Sequence, residues 1–357
     1  MIVEQARMGG IPPRHLAPAV ATPVYNAYWH FAAERQRIFF ERLGGRAAPW
    51  TSDIVLAHHK FTNAYRASDR VSQYLIRRVI YREDLPCSET EVCFRVLLFK
   101  LFNKVETWER LEVGLGPLTY ADFNLDRYAE ELRKALMAGQ RIYSGAYIMP
   151  PGKSAFGDTA KHLNHLRLLD LMMKDELPKK VAAAQDMRRA FELLRAYPTI
   201  GDFLAYQFVT DINYSTVTDF SEDSFVTPGP GAKDGLRKCF SSFGGLTEIE
   251  TIRLVADSQD SEFERLGISF RSLWGRKLHL IDCQNLFCEI SKYSRIAYPS
   301  ITGISGRTRI KQKYRPGRAL PQPWYPPKWG LNEEISKMLE AGSSLTAPST
   351  PNAQSRK

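Results

Sequence analysis

The feature that most constrains this chain is apolar patterning at helical spacing, with almost no strand alternation set against it. From Tyr28 to about Leu43, apolar and aromatic residues keep to one helical face, as in Trp29, Ala32, Ala33 and Ile38 to Phe40. Asp53 is placed to cap a helix opening the long stretch that runs to Ile80. Further helices are predicted over 89–102, 121–137, 159–173 and 179–194, with another after Pro198 capped around Thr199. Between them, Arg141 to Gly152 breaks the pattern with Gly, aromatics and Pro, as a short strand or an ordered loop. The expected fold class is mostly α, and 357 residues suffice for one large domain or two sub-domains around a sizeable core.

Lys and Arg outnumber Asp and Glu to give a net charge of +10, which favours a polyanionic partner, nucleic acid before membrane surface. No apolar run approaches the roughly 20 residues of a membrane span, and the first residues lack the layout of a signal peptide. The five cysteines, Cys87, Cys93, Cys239, Cys283 and Cys288, form no CxxC pair. A disulfide framework, a zinc site and an iron–sulfur cluster are therefore not expected, and the reading is a reducing cytoplasm. His58 with His59, and His162 with His165, lack the other ligands of a metal set, so neither a metal nor another cofactor is expected.

Two short segments carry chemistry. In Pro228-Gly229-Pro230-Gly231-Ala232-Lys233-Asp234-Gly235, the glycines permit a sharp turn and close backbone approach. Amides at the start of the following helix can then face a phosphate. The competing reading is a plain Pro/Gly turn between helices. In Ile281-Asp282-Cys283-Gln284-Asn285, Asp282 stands where a helix begins. It is either an N-cap or a carboxylate held at the mouth of a cleft, able to stabilise developing positive charge or orient a nucleophile. Asn63, Arg66, Asp69 and Arg70 fall at helical spacing and can share a polar face, as a base reader or as solvated ion pairs. Gly152-Lys153-Ser154 lacks the first glycine and the βαβ setting of a phosphate loop and reads as a turn. From Gly303 to Gly330 the chain has no acidic residue. There Arg307, Arg309, Lys311, Lys313, Arg315 and Arg318 interleave with Tyr314, Trp324, Tyr325 and Trp329, a pattern suited to phosphates and stacking.

The two segments together resemble the helix-hairpin-helix DNA glycosylase superfamily. Residues 227–233 match its hairpin, Gly235 its small-residue position and Ile281-Asp282 its catalytic segment. The spacing between them is longer than the family's, implying an inserted helical element from about Ser241 to Trp274. A resemblance covering Trp29 to Tyr298 rests on Phe61-Thr62-Asn63-Ala64-Tyr65-Arg66 with Asp69-Arg70, Tyr143-Ser144-Gly145-Ala146-Tyr147, and Thr210-Asp211-Ile212-Asn213-Tyr214. These look like the DNA base hypermodification family, which includes the helical domain of hydroxymethyluracil DNA kinases and the glutamyl/putrescinyl-thymine pyrophosphorylases.

The resemblance implies a glycosylase-like helical core with a cleft between two sub-domains. It places a loose N-terminus at 1–22, the helical domain at 23–302 with the hairpin at 225–240 and the catalytic segment at 279–293. A DNA-contacting segment then covers 303–332, and a helix with a disordered tail covers 333–357. The implied partner is double-stranded DNA carrying modified bases, with no membrane and no obligate protein partner. Asp282 is the implied catalytic group, and Lys233 either a nucleophile or a phosphate contact. Gly229, Gly231, Ala232, Lys233, Arg307, Arg309, Lys311 and Lys313 would meet the DNA backbone. The base pocket would draw on Asn63, Arg66, Asp69, Tyr143, Tyr147, Asp211, Asn213, Tyr214, Gln284 and Asn285. The leading expectation is a monofunctional DNA N-glycosylase that excises a hypermodified pyrimidine, such as glucosylated hydroxymethylcytosine, in anti-phage defence. The alternatives are a transferase displacing a leaving group on a 5-hydroxymethylpyrimidine, and a non-enzymatic module that binds modified DNA.

Overall fold

Thr22 opens the first long helix: its hydroxyl accepts the Val24 amide, and Pro23 takes the first helical position, where its missing N–H costs nothing. A computed structural model describes residues 17–145, 148–315 and 320–344. Within them the chain is mostly helical. In order come α1 (Pro23–Leu43), α2 (Ile54–His58), α3 (Arg70–Tyr74), α4 (Glu89–Phe102), α5 (Val105–Leu115), α6 (Leu125–Met137), α7 (Lys153–Phe156) and α8 (Lys161–Lys174). There follow α9 (Leu177–Ala182), α10 (Met187–Arg195), α11 (Asp202–Ile212), α12 (Pro230–Cys239), α13 (Glu248–Asp257), α14 (Gln259–Arg265), α15 (Leu280–Ala297) and α16 (Asn332–Ser344). Among the described residues the single sheet is a two-stranded antiparallel pair, β1 (Val20–Ala21) with β2 (Phe240–Ser242).

The predicted helix from Asp53 to Ile80 does not run unbroken. Asp53 caps α2 as expected, accepting the Val55 and Leu56 amides at 2.8 and 2.9 Å. The chain then leaves the helix at His59, makes a 3-10 turn at Arg66–Ser68, and ends in a π-helical stretch, Leu75–Ile80. Side-chain acceptors elsewhere take the amides that would have continued the helix: Glu289 takes Thr62, Asp69 takes Asn63 and Asp282 takes Arg66. Asn63, Arg66 and Asp69 therefore do not share a helix face; they lie on one loop wrapped around α15. The predicted 179–194 helix is likewise two helices, because Asp186 caps a fresh start at α10.

α12 and α15 pack closely, and glycine permits it. A Cβ on Gly235 would lie 1.9 Å from the Phe287 carbonyl oxygen, so any side chain would push the helices apart. A Cβ on Gly231 would sit 3.1 Å from Cys288 Sγ, and one on Gly229 would sit 2.5 Å from the Phe203 ring. The glycines of the 229–235 segment serve close packing. Helix follows this turn on one side; on the other, residues 213–229 contain no regular helix. The 241–274 stretch contains two helices, α13 and α14.

Candidate functional site

α15 begins at Leu280, which places Asp282 in its first turn, where the helix dipole favours a carboxylate. Asp282 Oδ2 accepts the His279 amide at 3.1 Å, and Oδ1 accepts the Arg66 amide at 2.8 Å. From the third helical position it closes a capping box with His279, and it also fastens the 59–69 loop. It is 4% exposed, and burial pushes its carboxyl up to about 6, against the pull of the Arg66 amide and of His279.

The Arg66 side chain turns away from Asp282. Its Nη1 and Nη2 grip the two oxygens of Asp211 at 2.7 and 2.9 Å, Nη1 also donates to the Tyr214 hydroxyl at 3.0 Å, and Nε donates to Gln207 at 3.0 Å. Lys100 Nζ closes the cluster 2.9 Å from Asp211 Oδ2 and donates to Asn103. Burial works to raise the Asp211 carboxyl, but Arg66 and Lys100 together hold it below the usual range. The site thus pairs a carboxyl held below the usual range with one raised to about 6.

The loop is braced from below. Arg35 of α1 donates to the Thr62 carbonyl and to Asn63 Oδ1, and Asn285 of α15 donates to the Thr62 hydroxyl. Half-buried Asp69 accepts the Asn63 amide, and burial pushes its carboxyl up to about 7. From above, the segment after 320 closes over it. The Tyr325 hydroxyl bonds Ser68, the Trp324 amide donates to Gln73, and the Trp329 ring meets Tyr214 edge-on while carrying Arg276 on its face.

The structure therefore brings Arg66, Asp211, Tyr214 and Asp282 together, with Asn63, Asp69 and Asn285 as supports. The Asn213 side chain is committed to the 218–220 turn through Thr218 and Phe220, and Gln284 bonds Cys288. Tyr143 joins a different set, bonded to His165 and stacked on Phe102. Tyr147 lies outside the described residues. Lys233 is exposed and 3.5 Å from Glu248, a setting without the desolvation that a nucleophilic lysine requires. The Ala232 amide turns to Cys288. Gly152, at φ +71°, opens the four-residue α7, in keeping with a turn.

The sequence reading missed three participants. Lys100 sits within Leu97-Leu98-Phe99-Lys100-Leu101-Phe102, and a lone cation in so apolar a run was a signal for a buried pair. Gln207 faces Arg66 from α11. Asp223 bonds His279 Nδ1 at 2.9 Å; burial works to lower the imidazole, but this partner raises it. Among the described residues no group of three or more His, Cys, Asp or Glu is placed to hold a metal, and no helix is long and apolar enough to cross a membrane.

The comparisons fit this core. Residues 22–303 match the family model described as "5-hmdU DNA kinase, helical domain". The chain is 27% identical over 292 residues to the 5-hmdU DNA kinase of Bacillus phage SP10, covering 77% of this chain and 46% of that protein. It thus spans about half the length of the curated relative it matches. No solved structure matches the chain. These findings correct the glycosylase expectation: the relative is a DNA kinase, a group-transferring enzyme and not a hydrolase of glycosidic bonds. The defence role, which rested on base excision, loses its support with it. With its helical core matched almost from α1 to the end of α15, the chain belongs to the family of the 5-hmdU DNA kinase helical domain.

Proposed function

We propose that this chain is the DNA-handling unit of a base-hypermodification enzyme, which takes up a 5-hydroxymethylpyrimidine and promotes group transfer at its exocyclic hydroxymethyl group. The observation that carries the reading is Asp282, a buried carboxylate near neutrality, held by the loop whose Arg66 anchors Asp211. To reach such a carboxylate the nucleotide leaves the stack, at a cost of a few kcal/mol that backbone contacts offset. Asp282 accepts the hydroxymethyl proton as the oxygen attacks the donor phosphorus; an O–P bond forms, and the donor's leaving group departs with the electron pair of the broken bond. Arg66 and Lys100 supply fixed positive charge behind the site, which favours an anionic transition state. A carboxylate poised near 6 suits the accepting role at neutral pH.

The test is binding and turnover on DNA that differs only in thymine against 5-hydroxymethyluracil. The expected result is at least about tenfold tighter binding of the hydroxymethyl DNA, roughly 1.4 kcal/mol, with nucleosides heavier by a phosphoryl group once a nucleoside triphosphate and a domain that binds it are supplied. Equal binding of both DNAs with no mass change would sink the reading.

A further inference from the structure

We propose that residues 307–313 form a ladder of cations that follows the phosphates of one DNA strand, from α12 across α15 to the loop bearing Arg66. The identity of the polyanion rests on the DNA-modifying reading above; the ladder rests on its own geometry. Arg307, Arg309, Lys311 and Lys313 occupy alternate positions, and all four are exposed. Of the intervening positions, Thr308 and Gln312 are exposed and polar, while Ile310 and Tyr314 are half-buried: Ile310 packs on the core, and Tyr314 meets Trp50 edge-on at 6.3 Å. An extended segment turns successive side chains to opposite sides, so this alternation directs the four cations to one face. Such a segment rises about 3.3 Å per residue, which spaces alternate cations about 6.6 Å apart over about 20 Å.

The segment is fixed at three points. At its start, Asp234 of α12 accepts the Ser305 amide at 2.7 Å, and a Cβ on Gly303 would strike that same carboxylate oxygen at 2.3 Å. In the middle, Arg295 of α15 donates to the Arg309 carbonyl. At its end, residues 312–314 run antiparallel to 58–60: the Lys60 amide donates to the Gln312 carbonyl at 3.0 Å and the Tyr314 amide to the His58 carbonyl at 2.9 Å. Two residues beyond Lys60 stands Thr62, which Asn285 and Glu289 bind from α15, the helix that bears Asp282. A strand held along the ladder is thus led to the edge of the candidate site.

Elsewhere on this surface many cations sit on carboxylates, as Arg82 does on Asp84 and Arg265 on Glu262. Among the described residues the four ladder cations form no ion pair, and the sequence from 303 to 330 supplies no acid. Unpaired cations in a row repel one another, and a polyanion with a regular repeat relieves that repulsion. An acidic membrane would call for apolar side chains among the cations; Ile310 turns the other way. The ladder lies beyond residue 303, where the family match ends.

The test measures affinity for unmodified single-stranded and duplex DNA across a salt series. Replacing Arg307, Arg309, Lys311 and Lys313 together by Ser should flatten the slope of log K against log salt by about 3.6 on duplex or about 2.8 on a single strand. A second variant keeps the net charge but moves two cations to intervening positions: Arg309→Thr with Thr308→Arg, and Lys311→Gln with Gln312→Lys. The ladder predicts that it loses about half of that slope. A slope unchanged in the first variant, or a charge-shifted variant equal to wild type, would overturn the proposal, as would tighter binding to anionic vesicles than to DNA. All the altered side chains are exposed, so thermal melts should coincide. Because the DNA is unmodified and no reaction is read, failure here is separable from failure of the base-modifying reading.

Discussion

The Arg66 amide donates to Asp282 Oδ1 at 2.8 Å, while the guanidinium of the same residue grips Asp211 at 2.7 and 2.9 Å. One residue thereby sets two carboxylates apart. Asp282 receives a single dipole from Arg66 and is driven up by burial; Asp211 receives a full charge, reinforced by Lys100, and is driven down. The loop must keep its position for either effect to persist, which explains why Arg35, Asn285, Glu289 and Tyr325 all fasten it.

Asp282→Asn is expected to abolish base modification while DNA affinity stays within about tenfold, about 1.4 kcal/mol. Asparagine can still accept the Arg66 amide, but its NH₂ then faces the His279 amide, a mismatch worth about 1–3 kcal/mol of stability. In the wild type the rate should rise with pH through about 6 as Asp282 ionises. Single-turnover rates in a pH series check this, and a folded mutant with unchanged turnover would remove Asp282 from the chemistry.

The supporting carboxylate Asp69 makes a prediction about stability. Its folded pKa is raised to about 7, so the folded state binds a proton more tightly than the unfolded chain does. The stability this confers is full below the ordinary aspartate range near 3.9 and is lost as pH rises through about 7. Asp69→Asn keeps an acceptor for the Asn63 amide and removes the titration. The variant should melt several degrees above wild type at pH 8 and no higher at pH 4, as read by thermal denaturation. A constant difference at both pH values would contradict the assignment.

The helices were legible where periodicity and caps agreed, as in α1, α4 and α15, and Asp282 stood out as an acid opening an amphipathic helix. The 59–69 loop was not legible, because its residues keep a helical spacing. What breaks the helix is a set of acceptors on residues up to 227 positions away, Glu289 on Thr62 among them. Asp211 entered only through resemblance, and Arg66 through a helical spacing that the loop does not keep, since nothing local reveals that two residues 145 apart form a bidentate pair. Lys100 carried a visible signal, a cation inside an apolar helix, but its partner was again distant. In the 303–330 segment the basic pattern was plain, whereas the roles of its aromatics were not. Tyr325, fully buried, and Trp329, on Tyr214, pin the chain to the core.

The close approach of α12 and α15 gives a graded test. Gly235→Ala would place a methyl 1.9 Å from the Phe287 carbonyl oxygen, backbone that cannot step aside without moving a helix. A loss of roughly 3 kcal/mol or more is expected. Gly231→Ala meets only Cys288, at 3.1 Å from Sγ, and should cost about 1 kcal/mol or less. Chemical denaturation of the two variants side by side measures the difference. Equal stability would mean that the helices are not held at this distance.

Asp211 lies at the centre of the buried charge cluster, 1% exposed, with Arg66 and Lys100 both on its oxygens. Taking one partner from a buried pair strands the other, at a cost of about 3–5 kcal/mol. Here a single change removes the carboxylate that two cations share, so Asp211→Asn should destabilise the chain by about that much, and it should show lowered stability at every pH from 5 to 8 because Asp211 is already ionised across that range. Asp211→Asn combined with Lys100→Met removes one stranded cation and should recover part of the loss. The cycle of single and double variants gives the coupling directly, expected at about 1–3 kcal/mol for residues in contact. Additive losses would mean that Lys100 is held by Asn103 alone and that Arg66 is the sole partner that matters to Asp211.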